Sequence, residues 1–248
     1  MPNRTSLSVQ LYSVRDAIKA DLDTAIDRIA AIGFTSVEPY GFTSRAAELA
    51  SALGRNGLSA PSGHASLLSS EQAPIFEAAR TLGMATVIDP FVDPARWTTE
   101  DDIKVTADAL NSAADAASSY DLRVGYHNHW FEVETDFGGR TGLEVLGSHL
   151  SPEVVLEVDT YWVAVGGQSP ADLLRKLGDR VKLIHVKDGD VSRDNRAQVA
   201  VGSGRMDIPA VLAAAAAVET FVVELDDSSG NLFTALEDSY TYLTRYDA

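Results

Sequence analysis

The chain has 248 residues, 45% hydrophobic, 8% aromatic and 23% charged, an ordinary globular composition that fits one large α/β domain or two small ones. Its 20 Lys and Arg against 36 Asp and Glu give a formal charge of −16, which repels phosphate backbones and anionic lipid, so no nucleic-acid or membrane partner is expected. With no cysteine, disulfides, thiolate metal sites and Cys nucleophiles are excluded together.

Residues 1–10 hold no apolar h-region, and no apolar run approaches the roughly 18 residues of a membrane span; a soluble, cytoplasmic protein is expected. The first strand-length run covers 7–12. Ile18, Leu22, Ile26 and Ile29 follow at helical spacing, with Asp21, Asp23, Asp27 and Arg28 between them. Further β-branched or aromatic runs lie at 36–40, 58–63, 85–89, 122–127, 154–159, 181–186 and 221–225. Most are continuously apolar, as parallel strands covered on both faces are. Helical patterns fill the intervals at 45–56, 71–82, 101–120, 142–150, 171–177, 209–218 and 232–245. The alanine run 213–217 is assigned to a helix because alanine is the best helix former.

Eight strand–helix pairs in 248 residues leave about 31 residues for each, the size of a compact α/β fold, the (β/α)8 TIM barrel. An open doubly wound sheet is the alternative, but Gln10-Leu11-Tyr12-Ser13-Val14-Arg15-Asp16 after the first strand lacks the glycines of a phosphate turn. Gly202-Ser203-Gly204 lacks the rest of a dinucleotide fingerprint. No linker stands out, so a single barrel domain over 1–248 is expected.

In such a barrel the active site lies at the C-terminal strand ends. Strand two ends in Glu38, strand three runs into His64, and strand five ends in His127-Asn128-His129. Strand six carries Glu157 and Asp159, strand seven His185, Lys187 and Asp188, and strand eight Glu224, Asp226 and Asp227. Strand alternation puts Glu157 with Asp159 on one face, and His185 with Lys187. Imidazoles and carboxylates at one barrel mouth form the ligand set of a divalent ion, here Mn²⁺, Mg²⁺, Co²⁺ or Zn²⁺. Asp159, His185 and Glu224, three ligand types at successive strand ends, carry that reading. Their neighbours at the strand ends also have structural alternatives. His64 alone reads as a hydrogen-bonded structural residue, Glu38 equally as a helix cap, and Asp188 before Gly189 as turn chemistry. Trp130 and Trp162 read as core or as sugar-stacking surfaces.

The chain resembles the sugar phosphate isomerase/epimerase family, with its xylose-isomerase-like barrel, over nearly its whole length. The resemblance is carried by Gln10-Leu11-Tyr12-Ser13, Tyr126-His127-Asn128-His129-Trp130-Phe131-Glu132 and Glu157-Val158-Asp159-Thr160-Tyr161-Trp162. It continues in His185-Val186-Lys187-Asp188-Gly189, Val201-Gly202-Ser203-Gly204 with Asp207, and Val223-Glu224-Leu225-Asp226. It implies one divalent metal held by a Glu from strand five, an Asp from strand six, a His from strand seven and a Glu from strand eight. The last three correspond to Asp159, His185 and Glu224. At the first, this sequence has His127, with Glu132 five residues later; Glu132 is the expected ligand, with His127 or water as alternatives.

The implied chemistry is proton transfer beside the carbonyl of a sugar, through an enediolate, giving isomerisation or epimerisation. In that reading Glu224 is ligand and base on one side, and His127 or His129 is its partner on the other. Lys187 holds a substrate oxyanion. Glu38, His64, Trp130 and Trp162 contact substrate, and Glu157 faces substrate or orients a ligand histidine. A hydratase or lyase acting on a 3-keto sugar or keto-glycoside is the close alternative, and a non-catalytic sugar-binding module the alternative of another class. Arg193, Arg196 and Arg205 read equally as a phosphate site or a solvated loop. The expected partner is a small sugar, with a homo-oligomer left open.

Overall fold

The computed structural model describes residues 7–245; of the segment 1–10 read above for an apolar h-region, residues 1–6 lie outside it. Eight strands form one parallel sheet: β1 (Leu7–Gln10), β2 (Ser36–Glu38), β3 (Ser62–His64), β4 (Thr86–Asp89), β5 (Arg123–His127), β6 (Val154–Asp159), β7 (Val181–Val186) and β8 (Thr220–Val223). Their order, β2-β1-β8-β7-β6-β5-β4-β3, returns the sheet to its starting point, which excludes the open doubly wound arrangement. Isolated parallel bridges, Ser36 with Ser59 and Tyr40 with His64, span the seam between β2 and β3. The result is a nearly closed (β/α)8 barrel.

The helices are α1 (Arg15–Ala20), α2 (Leu22–Ile32), α3 (Ala46–Arg55), α4 (Gln72–Thr81), α5 (Glu100–Ser118) and α6 (Phe131–Glu134). They continue with α7 (Gly142–His149), α8 (Thr160–Val165), α9 (Pro170–Leu177), α10 (Ile208–Ala214) and α11 (Leu232–Thr244). Three sequence expectations are corrected. The pattern around Ile18–Ile29 is two helices, because Asp21 is extended at φ −160° and its carboxylate caps α2 by accepting from Thr24 N–H. The third strand starts at Ser62 rather than 58, since Pro61 has no N–H to give a ladder. The alanine run does not stay helical to 217: Ala215 leaves helical geometry as the chain turns toward β8, so tertiary connection overrides propensity.

Side-chain alternation positions the site. Ile88, Val155 and Leu183 form an apolar plug, separate from the main core between strands and helices. Two residues further along β6 and β7 on the same face stand Glu157 and His185. The strands thus become polar inside near their C-terminal ends, although Glu157, Asp159 and His185 remain fully buried.

Candidate active site

His185 occupies the centre of the buried polar layer. Its Nδ1 lies 2.8 Å from Glu224 Oε2, and its Nε2 lies 2.9 Å from Glu38 Oε1 and 3.2 Å from Glu157 Oε2. His64, on β3, stacks parallel to it at 5.3 Å and places Nε2 2.6 Å from Glu157 Oε2. His127, at the end of β5, has its ring centre 4.5 Å from that of His185. Its Nδ1 is 3.2 Å from Glu157 Oε2 and its Nε2 3.9 Å from Asp159 Oδ2. Lys187 completes the layer, with Nζ 2.9 Å from Asp159, 2.5 Å from Glu224 and 2.8 Å from Asp226.

Local structure holds these groups in place. Asp159 caps α8 through Oδ1, which accepts from Trp162 N–H at 2.9 Å, and so leaves Oδ2 facing the barrel axis. Asn128 ties the ends of β5 and β6 by accepting from Asp159 N–H at 3.0 Å. Glu38 accepts from Gln10 Nε2 at 2.9 Å and from the Ser62 hydroxyl.

Burying several carboxylates together is unfavourable by several kcal/mol per unpaired charge, so compensation is required. Burial opposes ionisation of Glu38 and Glu224, yet neighbouring charge wins: His64 and His185 for Glu38, and Lys187 with His185 for Glu224, hold both well below the usual carboxylate range. Burial acts against protonation of His64, but Glu38 and Glu157 outweigh it and raise its pKa to about 10; His185 is raised likewise beside Glu157 and Glu224. Burial lifts Asp159 to about 6 despite Lys187. Burial and the charge of His185 push His127 well below its ordinary value, and burial with Lys187 lowers His129 to about 4.

The donor set fits a divalent cation. One ligand atom from each of His127, Asp159, His185 and Glu224 lies within 4.8 Å of the others, and His64, His127, Glu157 and His185 meet the same condition. Asp159 Oδ2, His127 Nδ1 and Glu157 Oε1 are buried without a hydrogen bond, the condition of atoms that can still accept coordination. The ionic contact between Lys187 and Asp159 Oδ2 does not meet hydrogen-bond geometry. Glu132, the strand-five ligand expected from sequence, is not brought into either group. Its carboxylate accepts from Tyr126 O–H at 2.7 Å and from His129 N–H at 2.8 Å, bracing the turn after β5. Burial raises its pKa to about 8.

Above this floor opens a pocket of about 620 Å³ lined by His64, His127, His129, Trp130, Trp162 and Glu224 among others. Glu38, Glu157, Asp159, His185 and Lys187 lie beneath it. Trp162 is buried and lines the pocket, so core and wall are one role here. Sequence reasoning missed Tyr12, Arg15, Tyr40, Phe91 and Asn195, all of which line the same space. The aromatic Phe91, two residues after the acid that ends the fourth strand, Asp89, was the available signal. Asp89 itself accepts from Leu68 and Phe91 N–H and fixes two loops of the rim.

Arg193, Arg196 and Arg205 are not among the lining residues. Arg193 pairs with Glu134 and lies over Trp130, its guanidinium carbon 5.1 Å from the ring centre. Asp188 does hold a loop: its buried carboxylate accepts from the N–H groups of Gly189, Gly202, Gly204 and Met206. A Cβ on Gly204 would collide with Asp188 and the backbone of Gly189. The Gly202-Ser203-Gly204 signal therefore answers a close approach of chain to chain.

A family model described as the xylose isomerase-like TIM barrel matches residues 26–245. The chain belongs to this family. Several solved structures share the xylose isomerase-like barrel. A sugar phosphate isomerase/epimerase from Parabacteroides distasonis aligns with a TM-score of 0.80 at 24% identity, covering 98% of this chain and 94% of that one. A probable 3-DHS dehydratase, AsbF from Bacillus anthracis, aligns at 0.76 with 14% identity, covering 96% and 98%. The IolI protein with a bound zinc atom aligns at 0.75 with 14% identity, covering 97% and 95%. No curated protein matches the chain significantly. Among its described residues, this xylose isomerase-like barrel has no helix long and apolar enough to cross a membrane.

Proposed function

We propose that this protein is a divalent-metal-dependent sugar isomerase or epimerase that moves a proton beside a carbonyl. The reading is carried by the convergence of His127, Asp159, His185 and Glu224 at the floor of the pocket, all buried and all within ligand distance of one another. These four are the proposed ligands, with His127 in the role assigned from sequence to Glu132. A bound Mn²⁺, Mg²⁺, Co²⁺ or Zn²⁺ supplies Lewis acidity that polarises the substrate carbonyl and stabilises the developing enediolate charge.

The chain's own groups divide the remaining work. Glu224, ionised and exposed to the pocket, removes the carbon-bound proton from one side. His129, also on the pocket wall, is neutral at physiological pH because burial and Lys187 depress its pKa, so it is available to exchange a proton on the other side. Lys187 directs its ammonium toward Asp159, Glu224 and Asp226 and steadies an oxyanion formed beside them. Glu157 joins His64, His127 and His185, fixing their ring orientations from below. Trp130 and Trp162 form an aromatic wall for the sugar ring, their ring centres 5.0 Å apart.

The test is a screen of ketoses in D2O with Mn²⁺ present, read by mass spectrometry and NMR. Deuterium at the carbon next to the carbonyl, lost in chelator and in His185→Ala, supports the reading. Activity that persists undiminished in chelator rejects it. Loss of water from a keto sugar is the second reading, favoured by the likeness to the dehydratase fold. A product of equal mass separates isomerisation from a product lighter by water.

A further inference from the structure

The pocket changes character with depth. Its floor is imidazole and carboxylate, whereas its rim carries Tyr12 and Phe91, 39% and 54% exposed. Among the described residues, the exposed large hydrophobics are these two and Val105, so two of the three stand at one opening. Both are held edge-on by a pocket neighbour: Tyr12 meets Tyr40 at 5.2 Å between ring centres, and Phe91 meets His129 at 5.6 Å. An exposed aromatic ring fixed in this way offers its face to a ligand at little ordering cost.

The volume exceeds the need of a lone monosaccharide. A hexose has about a dozen heavy atoms; even at the roughly 30 Å³ that a water molecule occupies in the liquid, these fill about 360 Å³. The pocket encloses about 620 Å³.

Its charge disfavours an anionic substituent. Glu224, Asp226 and Asp227 line the space against two cations, Arg15 and a His64 whose charge is already matched by Glu38 and Glu157. The Arg15 guanidinium is partly engaged: Nη1 donates to Tyr12 O at 3.0 Å and Asp226 O at 2.7 Å, and the group lies 4.3 Å from the Tyr12 ring centre. A phosphate here would meet three carboxylates, while His64 and Lys187 already pair with acidic side chains.

We infer that the pocket takes an uncharged sugar bearing an apolar substituent, not a sugar phosphate, with the substituent against Tyr12 and Phe91. The placement of the sugar over the floor rests on the proton-transfer reading; the selectivity at the rim is tested apart from it.

The full chain with excess Mn²⁺ is titrated with glucose, phenyl β-glucoside and glucose 6-phosphate, following Trp130 and Trp162 fluorescence without any turnover. The expected order is phenyl glucoside several-fold tighter than glucose, with glucose 6-phosphate no tighter than glucose. Phe91→Ala and Tyr12→Ala, both exposed and outside the core, should bring the ratio of phenyl glucoside to glucose affinity down toward one. Tighter binding of glucose 6-phosphate, equal binding of glucose and its phenyl glycoside, or a glycoside preference that survives both substitutions overturns the inference. So does the absence of binding by all three. If the preference holds while deuterium exchange fails for every ketose, the proton-transfer reading falls and the rim assignment stands.

Discussion

Glu38 and Glu224 approach His185 from opposite sides of its ring, Oε1 of the first 2.9 Å from Nε2 and Oε2 of the second 2.8 Å from Nδ1. With Glu224 as a proposed ligand, His185 would offer Nδ1 to a metal and keep its proton on Nε2, donated to Glu38. The carboxylate on β2 would thus fix the tautomer of a proposed ligand on β7 and increase its basicity.

Glu38→Gln is therefore expected to weaken metal affinity by about 10- to 100-fold while preserving the fold. Calorimetric titration with Mn²⁺ measures the first, and circular dichroism the second. Unchanged affinity would remove Glu38 from this role.

His127 and Glu132 separate two accounts of the turn after β5. His127→Ala should lower Mn²⁺ affinity by an order of magnitude or more, because it deletes a proposed ligand. Glu132→Gln should leave affinity nearly unchanged, since that carboxylate faces Tyr126 and His129 N–H. The reverse pattern would restore Glu132 as the ligand.

Glu132 also makes a pH-dependent contribution to stability. Its pKa rises from 4.5 to about 8, so between those values the folded chain binds more protons at this site than the unfolded chain. Stability then falls with rising pH across that window, fully present below about 4.5 and lost by about 8, a span on the order of a few kcal/mol. Glu132→Gln carries no such titration. Urea melts at pH 5 and pH 8 should show the variant gaining on the parent as pH rises; parallel changes in both would refute the assignment.

Gly204→Ala is expected to destabilise the fold by about 1–3 kcal/mol, because its Cβ would meet the Asp188 carboxylate and the backbone of Gly189. Asp188→Ala should cost a similar or larger amount, since four backbone N–H groups lose their acceptor. Chemical denaturation reads both. A Gly204→Ala protein as stable as the parent would show that the loop relaxes freely.

The barrel was legible because runs rich in β-branched and apolar residues, such as 154–159 and 181–186, coincide with buried parallel strands. The floor was legible because a polar residue ending such a run must point somewhere, and in a barrel the ends converge. The third strand was misplaced where Pro61 breaks the ladder. Glu132 was misassigned a partner because sequence spacing does not reveal that Tyr126, six residues back, lies within 2.7 Å. The rim escaped notice for a different reason: Tyr12 and Phe91 sit on connections, and Arg15 at the start of α1, whose paths depend on the closed barrel. Gly204 carried a visible glycine signal, yet its cause is Asp188, sixteen residues away along the chain.

The ties between β1 and β8 also bear on when this molecule becomes competent during its synthesis. Leu225 N–H donates to the Ser13 hydroxyl, and Arg15 donates to Asp226 O across 211 positions of sequence. A nascent chain emerging amino end first exposes Ser13 and Arg15 long before their acceptors and donors exist. Glu224 and Asp226 arrive with nearly all other floor residues already made. The pocket thus waits on the last strand of the barrel, and a ribosome stalled before residue 224 holds a polar floor that still lacks its closing side.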